Sequence, residues 1–159
     1  GDIVIEVFAA RAPVTADNFL RYVDAGLYDG TAFFRTVTMA NQPASPVKIE
    51  VIQGGQVDAA KEFPPIAHET TRQTGLKHTD GAVSMARSAP GSATSSFFIC
   101  INDQPELDFG GRRNPDGQGF AAFGRVVLGM DIARKIHKLP AAGQQLSPTV
   151  RILSIRRIR

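Results

Sequence analysis

SSFFICIN, residues 95–102, sets Phe97 and Phe98 side by side at the start of a run rich in β-forming residues. In a strand, neighbouring side chains point to opposite faces. Phe97, Ile99 and Ile101 then form one apolar row that can fill a core, while Ser96 and Phe98 share the other face. By itself Phe98 reads as one more apolar strand residue.

Working outward, GDIVIEVF (1–8), TAFFRTV (31–37), KIEVIQ (48–53), GAVSMA (81–86), FAAFGRVV (120–127) and TVRILSIRRI (149–158) are further strand candidates. Two segments read as helices. APVTADNFLRYVDAG (12–26) places Ala16, Phe19, Leu20 and Val23 on one face, between Pro13 and Gly26. GMDIARKIHKLP (129–140) groups Ile132, Ala133 and Ile136 and stops at Pro140. Many short strands with two helices predict a mainly β fold, a closed antiparallel barrel capped by the helices. Three stretches, 38–48, 54–80 and 103–119, are irregular and long enough to carry function.

The 159 residues suit a single domain over 1–159, burying roughly 68–70% of the unfolded surface. No apolar run approaches the roughly 18 residues of a membrane span. The net charge of +3 is concentrated in RILSIRRIR (151–159), where no aromatic residue interleaves to stack on bases, so a solvated final strand is expected and nucleic acid is not. The single cysteine, Cys100, reads as a small core residue. The chain opens on a strand with no initiator Met and no signal sequence, so a targeting peptide is expected to have been removed or omitted.

Motifs for covalent or metal chemistry are missing. HETTR (68–72) lacks the second histidine of a zinc-protease helix, and His68, His78, His137 and Cys100 have no metal-ligand spacing. GQGFAA (117–122) runs into a strand where a dinucleotide fingerprint needs a helix. The sequence shows no nucleophile with a nearby base, and neither metal nor cofactor is expected.

Arg35 stands inside the apolar run AFFRTV, where a guanidinium must snorkel to water, pair with a carboxylate, or project into a cleft. By the same period of two, Phe33 and Arg35 share a face, as do Val51 and Gln53.

Taken together, APVTADNF, YDGTAFFRTV, VIQGG, GAVSMARSAPGSATSSFFICIN and FAAFGRVVLGMDIARKI resemble, in order, five linked motifs of the cyclophilin family of peptidyl-prolyl cis-trans isomerases, and its bacterial secreted branch in style. The resemblance implies an eight-stranded antiparallel barrel with a helix over each open end and an active cleft on its outside. It implies catalysis of X-Pro rotation by Arg35, steadied by Gln53. The substrate proline packs on Phe98 and Leu107, with Ala86, Val51, Ser96 and Phe120 as further substrate contacts. Expected partners are proline-containing peptides and unfolded or flexible segments, and a monomer is expected. The branch likeness implies a periplasmic or otherwise extracytoplasmic home, with the cytoplasm left open.

The chain departs from the family at several of these positions. Glu50 stands where a pocket phenylalanine is usual, at the end of a lengthened link; either the link brings Met39 or Ile49 into the pocket instead or the pocket is weakened, and Glu50 turns outward or pairs with Arg35. Ser96 replaces a glutamine, Phe120 a histidine and Phe34 a histidine. Glu106 replaces a tryptophan that binds cyclosporin, so weak cyclosporin binding is expected. Arg112 and Arg113 in DFGGRRNPDGQG (108–119) read as solvated, or as attracting acidic substrate segments. Two rivals stay open: a catalytically weakened module that holds proline segments, and a barrel with a small apolar ligand inside.

Overall fold

The computed structural model describes residues 1–158. Eight strands form one antiparallel sheet: β1 (Val4–Val7), β2 (Ala32–Val37), β3 (Val51–Gly54), β4 (Ala82–Met85), β5 (Phe97–Cys100), β6 (Ala122–Leu128), β7 (Ala141–Ala142) and β8 (Gln145–Arg151). Their order is β1-β6-β4-β5-β3-β2-β8-β7. The helices are α1 (Pro13–Asp24), α2 (Thr71–Thr74) and α3 (Met130–His137), with 3-10 turns at Ala59–Lys61 and Pro105–Leu107.

This differs from the expected closed barrel with two helices. Among the described residues the ladders run from edge to edge, and none joins β1 to β7. The third helix is a single turn in the stretch 54–80, held by a capping box between Thr70 and Gln73, too short for apolar periodicity to announce it. The last strand also moves: β8 ends at Arg151, and TVRILSIRRI contributes only its first residues to the ladder. Beyond it, the exposed Arg156 and Arg157 reach the carboxylates of Asp29 and Asp24, so the basic tail stays solvated but is tied to the end of α1 and the turn after it rather than continuing the strand.

Pro13 starts α1 where its missing N–H costs nothing. The next two amide hydrogens, on Val14 and Thr15, donate to the Glu69 carboxylate at 3.2 and 2.7 Å. A carboxylate at a helix N-terminus also favours the macrodipole. That is the role of the acid in HETTR.

The buried face of α1 carries Phe19 and Tyr22 into the interior with Tyr28, Phe97 and Phe123. Phe19 lies 5.0 Å from the Phe123 ring and 5.5 Å from that of Phe97. These aromatics, with Ile52, Ile99 and Ile101, occupy the space an internal apolar ligand would need. The alternation of β5 therefore holds: Phe97 and Ile99 face this core, whereas Phe98 and Cys100 belong to a second apolar cluster with Val37, Ile49, Val51, Ala82 and Leu107.

On β2 the alternation fails. Phe33 pairs with Gly54 of β3, but Arg35 pairs with Gln53, so two steps on β2 match one on β3. On the other side the register slips from Phe33↔Val150 to Arg35↔Gln145. This bulge, with Phe34 as the extra residue, turns the strand between the two positions. Phe33 is buried in the core, its ring 6.1 Å from Phe97, while Arg35 points outward. The two do not share a face.

Candidate active site

Arg35, Ile49, Val51, Gln53, Ala86 and Phe98 line a cleft of ≈ 250 Å³ on the outer face of the sheet, together with Leu107, Phe120, Arg87, Arg113 and Asn114. Seven of the eight sequence-derived site residues therefore meet in one place. The eighth, Ser96, lies behind the wall: it is buried, and its hydroxyl accepts from Gln53 Nε2 at 2.9 Å. The expected substrate contact at Ser96 becomes a support for Gln53.

Arg35 is held by neutral groups. Its Nη1 donates to Gln53 Oε1 at 3.0 Å, and its Nε and Nη2 both donate to Gln144 Oε1, at 2.9 and 2.7 Å. Gln144, in the turn between β7 and β8, is fixed in its turn by donating to the Asn41 carbonyl. Among the described residues no carboxylate lies within ion-pair distance of Arg35. Burial first, and then the charge of Arg113, press its pKa below the ordinary arginine value. Even so, a guanidinium stays protonated at neutral pH. The result is a partly desolvated cation with fixed orientation and, among the described residues, no counter-charge. Of a guanidinium's five donors, three bonds are satisfied within the protein, leaving hydrogens on Nη1 and Nη2 for a ligand.

The apolar side of the cleft is equally fixed. Phe98 meets Phe120 edge to face at 5.3 Å. Arg87 lies over the Phe120 ring at 4.9 Å and is itself bound to the Gly119 carbonyl and to Asp116. Leu107 is fully buried at the floor, placed by the 3-10 turn that begins at Pro105. Ala86 donates its N–H to the Ser96 carbonyl at 2.9 Å, which fixes the backbone at this edge of the cleft.

Glu50 resolves the question raised by the lengthened link. It turns away from the cleft, accepting from Asn102 Nδ2 at 3.3 Å and lying 3.9 Å from His137 Nε2. Ile49 lines the cleft in its place, and Met39 is exposed. The link itself is ordered by Gln42, which is buried and bonds both the N–H and the carbonyl of Ile49. Arg113, expected to be solvated, donates from Nη1 to Gln42 Oε1, Ser45 Oγ and the Val47 carbonyl. Arg112 is the solvated one, paired with Glu106.

Behind Phe98 the fold assembles a group from three distant segments. His78 stacks on the Phe98 ring at 5.9 Å, its Nδ1 lies 2.7 Å from Asp108 Oδ1, and its Nε2 lies 2.8 Å from Ser84 Oγ. The order serine, histidine, aspartate is that of a nucleophilic triad. Ser84 is 0% and His78 1% exposed, so no substrate carbonyl reaches the hydroxyl. The group braces Phe98 instead. Gln144, Arg87 and His78 carry no local pattern that assigns them a place at the cleft; only the fold brings them beside Arg35, Phe120 and Phe98.

The family model described as "Cyclophilin type peptidyl-prolyl cis-trans isomerase/CLD" matches residues 1–157. The chain is 41% identical over 143 residues to peptidyl-prolyl cis-trans isomerase B of Escherichia coli, covering 86% of this chain and 78% of that protein. It is 38% identical over 141 residues to peptidyl-prolyl cis-trans isomerase cyp18 of Streptomyces antibioticus, covering 86% and 77%. Among solved structures, a cyclophilin type peptidyl-prolyl cis-trans isomerase of Cryptosporidium parvum superposes with a TM-score of 0.75 at 22% identity, covering 97% of this chain and 89% of that one. The motifs, the sheet and these likenesses agree: the chain belongs to the cyclophilin-type peptidyl-prolyl cis-trans isomerases.

Proposed function

We propose that this isomerase turns X-Pro bonds by electrostatic stabilisation, with Arg35 as the catalytic cation. Gln53 and Gln144 orient it. The substrate proline packs on Phe98, between Val51, Leu107 and Phe120, and the flanking chain runs past the Ala86 carbonyl.

The chemistry needs no nucleophile. Rotation about an X-Pro bond breaks amide resonance, against a barrier of roughly 18–20 kcal/mol. Midway, the proline nitrogen regains a lone pair that a fixed N–H donor can engage, while the apolar wall keeps water from competing. Lowering the barrier by about 5–6 kcal/mol gives roughly 10⁴-fold acceleration. The free hydrogens of Arg35 serve the nitrogen, and the second Nε2 hydrogen of Gln53 is available to the substrate carbonyl. The observation that carries this reading is a half-buried guanidinium held by two neutral amides beside an apolar notch. A merely proline-binding module has no use for an uncompensated cation there.

The substrates proposed are proline-containing segments of unfolded or flexible chains, where uncatalysed exchange takes tens of seconds. The same reading takes the eight strands as a barrel whose seam lies between β1 and the residues after β8. Ile3 and Ile155, from those two segments, pack on one core.

The test is cis-trans exchange of a short Ala-Pro peptide by NMR, with wild type and Arg35→Ala. The variant should lose about 10²–10³ in kcat/KM, as expected for removing a main electrostatic stabiliser, while its Tm holds. Equal rates would remove Arg35 from the mechanism. An inactive wild type that binds the peptide would make the cleft a binding module.

A further inference from the structure

Arg113 is the second cation of the cleft without a counter-charge. Among the described residues several arginines are ion-paired: Arg87, which also lines the cleft, with Asp116, Arg112 with Glu106, Arg125 with Glu6, Arg134 with Asp80, Arg156 with Asp29 and Arg157 with Asp24. Arg11, bound to the Thr74 carbonyl, and Arg21 and Arg72, over phenylalanine rings, lie outside the cleft. Among the described residues Arg35 and Arg113 have no such partner, and both line the same cleft. No aspartate or glutamate lines it with them.

Arg113 is also aimed. Its three side-chain bonds all leave from Nη1, to Gln42 Oε1, Ser45 Oγ and the Val47 carbonyl at 2.9, 2.9 and 2.6 Å. Those acceptors belong to the lengthened link before β3, so the link fixes the guanidinium at one end. The edge formed by Nε and Nη2 has no acceptor among the described residues. That edge grips a carboxylate with two parallel N–H···O bonds.

Two like charges in one partly desolvated cleft disfavour each other. A neutral X-Pro amide can satisfy Arg35 but does nothing for Arg113. An anion on the substrate would satisfy both the open edge and the excess charge.

Resting on the isomerase reading above, we infer that Arg113 is a specificity residue: the cleft prefers X-Pro segments that carry an aspartate or glutamate side chain near the proline, held by the Nε–Nη2 edge of Arg113. The link that distinguishes 38–48 thus serves to aim this arginine.

The experiment uses paired peptides with Glu or Gln at each position flanking the X-Pro pair, and reads the ratio of their kcat/KM by NMR exchange. At one flanking position the Glu peptide should exceed the Gln peptide by roughly 5–10-fold at low salt, as expected for a partly buried charge-assisted pair, and lose most of that advantage at high salt. Arg113→Gln should bring the ratio to about one, and Arg113→Lys should keep part of it because the charge remains. A ratio taken within one variant cancels any general loss from a loosened link. Ratios near one at every position in wild type, a preference that survives Arg113→Gln, or a lysine variant that behaves like the glutamine variant would each overturn the inference. A wild type inactive on all peptides would sink the isomerase reading instead. Peptide affinities from NMR titration would then still decide whether Glu is preferred.

Discussion

Gln144→Glu is the most informative single change at Arg35, because it alters charge and leaves shape. The Gln144 oxygen accepts from Nε and Nη2 at 2.9 and 2.7 Å. A carboxylate there accepts the same two bonds, more strongly, so orientation is kept or improved. The charge near the reacting amide falls. With an effective dielectric near 20, a unit charge about 4 Å away is worth roughly 4 kcal/mol. The new carboxylate sits on the far side of the guanidinium, about twice as distant from the substrate, so it cancels about half of that, roughly 2 kcal/mol. The expected outcome is about a 30-fold fall in kcat/KM with no fall in Tm. Gln144→Met is the control, since it removes the acceptor without adding charge. Exchange of an Ala-Pro peptide by NMR gives the rate, and thermal unfolding followed by circular dichroism gives the Tm. The glutamate variant should recover activity only as pH drops below about 4, where a carboxylate beside an arginine protonates. Wild-type activity in Gln144→Glu at neutral pH would refute electrostatic catalysis by Arg35.

Three further outcomes are expected. Wild-type kcat/KM should be flat from about pH 6 to 9, because no proton moves and burial lowers the Arg35 pKa without bringing it near that range; any loss belongs at the alkaline end, and a bell-shaped profile would point to acid–base chemistry instead. Gly55→Ala should cost about 2–5 kcal/mol in denaturant unfolding, since Gly55 has φ +75° and an added Cβ would lie 2.8 Å from Phe97 Cδ1 and 3.0 Å from Tyr28 Cε1. A cost under about 1 kcal/mol would mean that the strand end adjusts freely. Cyclosporin should inhibit weakly, because Glu106 offers a carboxylate already paired with Arg112 where an indole would be needed; tight inhibition in the exchange assay would contradict this.

The separation between local and global information can be followed along β2 and β5. In SSFFICIN both faces were legible, because β5 pairs without a register shift with β3 along its whole length and with β4 from Phe97 to Ile99, so simple alternation holds. In TAFFRTV the same rule put Phe33 and Arg35 on one face, and the bulge separated them. A bulge is a property of three paired strands, not of six residues. Likewise, Ile49 and Met39 were equal candidates to replace the pocket phenylalanine until Gln42 fixed the backbone at Ile49. Arg112 and Arg113 were indistinguishable neighbours; one is now paired with Glu106 and the other is bound to the link.

The residues by themselves determined most of the extended segments, though not β7 or the bounds of β8, and which face of α1 is buried, since periodicity is local. The direction of Arg35, its two amide partners, its lack of a counter-charge and the brace behind Phe98 were decided only by tertiary structure. Those depend on residues far apart in the chain, Gln144 being 109 positions from Arg35. No short stretch of sequence can encode a contact whose other half has yet to be folded against it.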